Sequence, residues 1–436
     1  MNSEGTPLEK KIEFIIFGGT GDLSRKKLLP ALNKLYKEIN LKKVLILGRN
    51  EEKFRNIKKN LPEDFAKNLG FIKFHIEDTE KFRELIKSIS KDTLKIFYIA
   101  LPPNLFSVVL ENIGRFLNVK DKRIVIEKPY GLSLKDARNL NEIVRKYFTE
   151  EEIFRIDHFL GKIQVQNILS FKFSNLLFSQ ILNACFIDKV EILMLENIGV
   201  EGRKTYYNQV GAIKDMLQNH LLMLTALVAL DTPADIKDFH NEIKRILKRI
   251  RFSTEDFYIT KYESYTGNVE TFVAVKLLIE KEEWKGVPFL IATGKKLKEK
   301  ISRICIHFKK PVDSLEKLLV CVPDRNILIF DIFPENTVRL KVNFISPLGF
   351  LKCSESVEWR ISLREIVGKL IDPYQSLLID IIKGDRTLFL DDKEVEILWE
   401  KTESLIEVVQ GKPVEVYKDR SEFPEKVKSW FECINN

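Results

Sequence analysis

The sequence predicts an α/β domain built on a doubly wound parallel sheet, followed by an α+β domain with a large, mostly antiparallel sheet and helices on one face. Three observations lead there. Apolar runs alternate with helical segments as far as residue 156, the pattern of repeated strand–helix units. A glycine-rich turn follows the first of these runs. Beyond residue 157, strand-like segments succeed one another without helices between them, as an antiparallel or mixed sheet requires. At 436 residues the chain exceeds what one hydrophobic core supports, and the change of pattern divides it into 1–156 and 157–436.

The first strand is Ile12 to Phe17, bounded by Gly18, and a helical segment from Asp22 to Lys37 carries Leu28, Leu29, Leu32 and Leu35 on one side. The turn between them, Gly18-Gly19-Thr20-Gly21-Asp22-Leu23-Ser24, contains the spacing G-x-G-x-x-S, whose last small residue lets helix and strand pack closely. Unpaired backbone N–H groups and the helix dipole attract phosphate at such a place. Strand, glycine turn and helix in that order are what a Rossmann-like dinucleotide fingerprint needs. A second strand, Lys43 to Leu47, ends at Gly48-Arg49-Asn50. An acid there would bind a ribose hydroxyl, whereas Arg49 suits the 2′-phosphate of NADP; the plain alternative is a solvated Arg.

Alternation continues through strand Phe71 to Ile76, helix Glu80 to Ser90, strand Lys95 to Leu101, Pro102-Pro103, a helix to Leu117, and strand Arg123 to Ile126. At the carboxyl end of that last strand, Glu127-Lys128-Pro129-Tyr130-Gly131 directs Lys128 toward the crevice where open parallel sheets bind ligands. A structural salt bridge from Lys128 to Glu127 or another acid is the rival reading, and Pro129 restricts the lysine before it. After the helix Leu134 to Phe148 comes Arg155-Ile156-Asp157-His158-Phe159-Leu160-Gly161-Lys162, which sets a carboxylate, an imidazole and an ammonium in one short apolar segment. As a strand end it points Asp157 and His158 to opposite sides; the alternative is a solvated turn with a capping Asp.

Later strands are Lys189 to Leu195, Val269 to Ile279, Ile301 to Phe308, Ile327 to Phe333 and Thr337 to Ile345, with helices near 211–230 and 372–383. So large a sheet needs its outer face covered, and a second subunit is the simplest cover. On the predicted helix Asp215-Met216-Leu217-Gln218-Asn219-His220, Asp215 and Asn219 share a face. A histidine at the edge of an apolar helix is often a satisfied core residue. A neutral imidazole oriented by a carboxylate is also what removes a hydroxyl proton while hydride leaves the same carbon, worth roughly 10² to 10⁴ in rate.

Composition narrows the classes. With 44% hydrophobic and 31% charged residues the chain reads as an ordinary globular protein. No apolar run is long enough to cross a bilayer, and Met1 to Lys11 lacks the apolar core of an export signal. The net charge of +8 is interspersed with acids, which argues against a nucleic-acid partner and for small anionic ligands. Cys185, Cys305, Cys321, Cys353 and Cys433 are scattered without CxxC spacing. That fits a reducing cytoplasm and speaks against a structural metal.

Together these motifs resemble the glucose-6-phosphate dehydrogenase family. Gly18 to Lys27 looks like its N-terminal fingerprint, Glu127 to Gly131 like its EKPFG and Arg155 to Lys162 like its RIDHYLGK. Val165-Gln166-Asn167, Glu201-Gly202-Arg203, Asp215 to His220, Glu270 to Ala274, Gly286 to Phe289 and Thr293-Gly294-Lys295 continue in order. The resemblance runs from about residue 12 to the C-terminus. It implies an NADP-dependent enzyme that oxidises the C1 hydroxyl of glucose 6-phosphate to the lactone, the first oxidative step of the pentose phosphate pathway. It makes His220 the general base, oriented by Asp157. His158 and Lys162 would bind the phosphate, Glu196 and Asp215 the sugar hydroxyls, and Lys295 and Lys300 would complete the anion site. Lys128 would bridge sugar and cofactor, with Lys27 near the same cleft, and the molecule would be a homodimer or a dimer of dimers.

Three positions depart from the family pattern. Phe159 replaces a Tyr and so lacks a hydroxyl for the phosphate; Ala292 replaces an Arg; Phe333 stands where a Gln often meets the sugar. They leave room for another phosphorylated aldose. A related enzyme acting on a free sugar would have no use for His158, Lys162 and Lys295 around one anion. A catalytically silent NADP-binding protein would be expected to lack His220 or Asp157.

Overall fold

The computed structural model describes residues 10–116, 119–310, 323–345, 354–368 and 370–434. Met1 to Glu9, Leu117, Cys321 and Cys353 therefore lie outside the described residues. The chain forms two compact units: Met1–Lys162 with Ile371–Glu396, and Ile163–Leu370 with Ile397–Asn436. The return of 371–396 to the first unit has no counterpart in the sequence pattern.

The first unit is the expected doubly wound sheet. Strands β1 (Lys11–Phe17), β2 (Leu41–Gly48), β3 (Leu69–Lys73), β4 (Thr93–Ile99), β5 (Lys122–Ile126) and β6 (Ile153–Ile156) are joined in parallel in the order β6-β5-β4-β1-β2-β3. A two-residue strand, β15 (Phe389–Leu390), adds antiparallel to β6. Strand order reverses between β1 and β4, and the crevice past the carboxyl ends of such a pair is where open sheets take ligands. Phe14, Ile15, Ile16, Ile96, Phe97 and Tyr98 are wholly buried because both faces of these strands are covered.

The second unit holds a nine-stranded sheet, ordered β14-β13-β12-β11-β7-β10-β9-β8-β16. Its strands are β7 (Ile187–Leu195), β8 (Ile250–Tyr262), β9 (Phe272–Ile279), β10 (Phe289–Gly294), β11 (Ile301–Phe308), β12 (Ile327–Phe333), β13 (Thr337–Ile345), β14 (Ser354–Ser362) and β16 (Glu415–Tyr417). Only β7 with β10 and β8 with β16 pair in parallel; the other pairs are antiparallel. No helix among the described residues is long and apolar enough to cross a membrane.

One expectation about the cysteines fails. Cys305 on β11 and Cys433 in the C-terminal segment form a disulfide, with Cα atoms 6.1 Å apart, while Cys185 is free and exposed. They are 128 positions apart, and only the fold brings them to a bonding distance that spacing cannot reveal.

Candidate active site

In the first unit the glycine turn is built as a cradle. Gly18 adopts φ +75°, and a Cβ there would strike the Ala100 carbonyl. Its own carbonyl accepts the Gly21 N–H at 2.9 Å, and Ser24 is fully buried behind the turn. The helical segment starts with a wide turn, Ser24–Leu28, in which the Leu29 N–H reaches back to the Ser24 carbonyl. Gly18, Thr20, Gly21, Gly48, Arg49 and Pro102 line a groove of about 350 Å³ at the sheet's switch point. Gly19 packs against Ile46, where a Cβ would not fit. Asp22 is an exposed acid paired with Arg25 and Lys26, which lower its pKa, and Leu23 packs partly buried beside the core.

Sequence reasoning missed Lys53 and His75, which also line the groove. Lys53 follows Asn50, whose side chain accepts the Lys53 N–H and caps the helix Glu51–Lys59. An N-cap Asn two residues past the strand end at Gly48 was the available signal.

Asp157 does not sit in an extended strand end. Strand β6 stops at Ile156, and the Asp157 carboxylate accepts the Phe159 N–H at 2.9 Å while its carbonyl accepts the Leu160 N–H. This is the side-chain-closed turn that Asp favours, yet it is buried, with Asp157 only 1% exposed. The turn sends His158 to stack on Tyr374, with ring centroids 6.4 Å apart and planes 14° from parallel. Lys162 lies over the Phe159 ring at 3.4 Å from its centroid. The aromatic face at 159 thus serves the ammonium directly.

Lys128 follows β5, and its peptide to Pro129 is cis. Two tyrosines bond the Glu127 side chain, and Lys128 beside it adds a backbone hydrogen bond and its charge. The Tyr98 hydroxyl donates to Glu127 Oε1, and Tyr374 bonds the same carboxyl. Burial pushes the Glu127 carboxyl up to about 7 against these bonds. Lys27 is half exposed and lies 3.8 Å from Asp372.

In the second unit, His220 is 1% exposed. It lies in a π-helical stretch, Ile213–Leu221, that ends with the Leu222 N–H bonded to the Leu217 carbonyl. Widening the turn brings residues i+4 and i+5 over residue i, so His220 as well as Asn219 lies near the Asp215 face. The sequence pattern predicted an ordinary helix, in which only Asn219 would do so. The Asn219 side chain accepts the His220 N–H at 2.7 Å and donates to the Asp215 carbonyl at 3.3 Å.

Lys295 follows β10 and is 4% exposed. Its ammonium bonds Glu196 Oε2, lies 3.2 Å from Asp215 Oδ2 and faces the Tyr207 ring at 5.3 Å. Burial draws its pKa down, and Asp215 and Glu196 more than offset that, so it ends above the ordinary lysine value. The structure therefore gathers Lys295, Glu196 and Asp215 as one ion cluster. Lys300 is not part of it; it is exposed over the Phe333 ring at 4.6 Å. Ala292 is fully buried within β10, paired with Leu193 and Ala274 on the neighbouring strands.

Residues 15–167 match the family model for the glucose-6-phosphate dehydrogenase NAD binding domain, and 169–435 match the model for its C-terminal domain. The chain is 35% identical to glucose-6-phosphate 1-dehydrogenase of Borreliella burgdorferi over 89% of its own length and 90% of the relative's. With the enzyme of that name from Dickeya dadantii it shares 32% over 92% of each. A solved glucose-6-phosphate dehydrogenase in complex with its substrate glucose-6-phosphate superposes with a TM-score of 0.89 at 27% identity, covering 98% of both chains. The Mycobacterium avium glucose-6-phosphate 1-dehydrogenase gives 0.85 at 26%, covering 96% of both.

Proposed function

From the premise that the chain belongs to the glucose-6-phosphate dehydrogenase family, and so oxidises the C1 hydroxyl of glucose 6-phosphate with hydride transfer to NADP, we propose how its residues divide that work. NADP supplies the hydride acceptor. The cradle of Gly18, Gly19, Thr20 and Gly21, closed by Asp22, Leu23 and Ser24, holds its phosphates, and Arg49 with Lys53 takes the 2′-phosphate. Lys128 spans cofactor and sugar from the end of β5. The units correspond to a dinucleotide-binding role for the first and a substrate-binding and dimerisation role for the second.

His220 removes the C1 hydroxyl proton, and Asp157 orients its imidazole and stabilises the cation that forms. His158 and Lys162 bind the phosphate, the histidine as a stacked donor and the lysine as a point charge. Glu196 and Asp215 accept hydrogen bonds from the sugar hydroxyls. Lys295, expected in the anion site, is better employed between these carboxylates: it aims both, and its charge is already matched. Lys300 and Lys27 add positive potential at the margin. The observation that carries this reading is the largely buried ion cluster of Lys295, Glu196 and Asp215, whose Asp215 stands on the same wide-turn helix as His220. Buried charges so arranged are costly for stability alone and are characteristic of working sites.

His220→Asn tests it. Turnover should fall by orders of magnitude, about 10² or more, with little change in substrate KM; near-normal turnover would remove His220 as the base.

We further infer a homodimer, or a dimer of dimers, in the cytoplasm, where the Cys305–Cys433 disulfide would be shielded from reductant because both cysteines are wholly buried. Val357, Trp359 and Ile361 alternate on one face of β14 and are exposed, with Phe344 of β13 beside Trp359 at 6.1 Å between ring centroids. An apolar stripe of this kind at a sheet edge favours a second copy of the chain as its cover.

A further inference from the structure

Glu270 and Thr271 belong to a motif that none of the roles above uses. The residues sit just before β9 and bond both the start of the helix that carries Asp215 and the backbone of Lys295. The Glu270 carbonyl accepts the Ala212 N–H at 3.0 Å, and its carboxylate oxygen Oε1 accepts the Ile213 N–H, also at 3.0 Å. Ile213 is the first residue of the π-helical stretch that carries Asp215, Asn219 and His220. One residue later, the Thr271 carbonyl accepts the Lys295 N–H at 3.0 Å, and the Tyr417 hydroxyl holds the Lys295 carbonyl from the other side.

The chain has been shaped around this carboxylate. Gly211 breaks the preceding helix with φ +63° and ψ −175°, and a Cβ on it would fall on the Glu270 carboxylate. Glycine is therefore required twice, for the left-handed conformation and for the close approach. The first N–H groups of a helix have no partner within it, and a carboxylate there satisfies one of them and complements the dipole. Helix and lysine both hang from adjacent peptides of one short segment, so their relative position is set there.

We propose that Glu270 is a positioning residue: it fixes where the wide-turn helix begins, and through that the placing of His220 and Asp215 relative to Lys295. This rests on the reading of His220 as the base. Glu270 touches neither sugar nor cofactor in this scheme.

The test compares Glu270→Ala, Glu270→Gln and His220→Asn for kcat, for both KM values, and for amide hydrogen exchange over 211–221. Glu270→Ala should lower kcat by on the order of tenfold to a hundredfold, as small misplacements of reacting groups do. The KM for NADP should stay unchanged, and exchange at Ile213 to Met216 should quicken. Glu270→Gln, which keeps an acceptor oxygen, should recover most of the loss. If Glu270→Ala does not fold, Gly211→Ala takes its place and should show the same split. Unchanged kcat in the Ala variant, or exchange at Ile213 to Met216 as slow as in the unaltered protein, overturns the inference. Normal turnover in His220→Asn would instead refute the base assignment, and the exchange data would still decide whether Glu270 anchors the helix.

Discussion

Arg49 and Lys53 place two cations at one end of the nucleotide groove, and their chemistry is selective only if a phosphate sits there. Arg49→Ala should raise the KM for NADP by about tenfold, the scale of one charge-assisted contact, and leave that for NAD nearly unchanged; steady-state kinetics with each cofactor decides it. Phe159 gives its ring face to Lys162 but has no hydroxyl to offer a phosphate. Phe159→Tyr should lower the KM for glucose 6-phosphate severalfold, and an unchanged value would show that position 159 does not face the anion. Glu127 provides a pH test of the first unit. Its carboxyl, ordinarily near 4.5 and raised to about 7 in the fold, binds its proton more tightly folded than unfolded. Its contribution is therefore fully present below about 4.5 and lost as the pH rises through 7. Glu127→Gln should flatten that part of the profile of Tm against pH. Among single residues, Arg49 and His220 could be picked out as candidates by chemistry and spacing. Glu127's tyrosine partners could not, because Tyr98 and Tyr374 are remote in sequence.

Among the elements, the first strand, glycine turn and helix were readable because backbone sterics tie glycine to that bend. The wide-turn helix was not. Its residues have an ordinary helical pattern, and the distortion follows from Gly211 and from the anchor at Glu270, a long-range partner. Burial in a turn likewise distinguishes Asp157 from the solvated Asp that its neighbours suggest. The C-terminal segment is the other element fixed from a distance. The Glu191 carboxylate on β7 accepts the Glu432 and Cys433 N–H groups at 3.1 and 2.8 Å, Arg303 donates to the Cys433 carbonyl at 2.9 Å, and the disulfide to Cys305 completes the clasp. Closing a loop of that length stabilises a fold by roughly 4–5 kcal/mol in the chain-entropy model. Cys433→Ser should therefore lower Tm by several degrees and cancel any effect of added dithiol on Tm; equal Tm values for the variant and the unaltered protein would show that the bond contributes nothing.

For the whole molecule, the parallel sheet of the first unit and the largely antiparallel sheet of the second were both foreseeable, since strand spacing with and without intervening helices is a local property. The excursion that returns 371–396 to the first unit was not, because a chain's path between units leaves no periodic trace. Assembly is set at this scale too. Trp359→Glu on the exposed face of β14 should shift the protein toward monomer by sedimentation or light scattering, and an unaltered mass would move the interface elsewhere. The division of labour between a phosphate-binding turn, a buried acid–base group and an NADP groove is tested most directly by reduced-nicotinamide absorbance, with glucose 6-phosphate or free glucose as substrate and NADP or NAD as acceptor. Reduction of NADP should be fast with glucose 6-phosphate and far slower when the phosphate is missing; equal rates with free glucose would contradict that division.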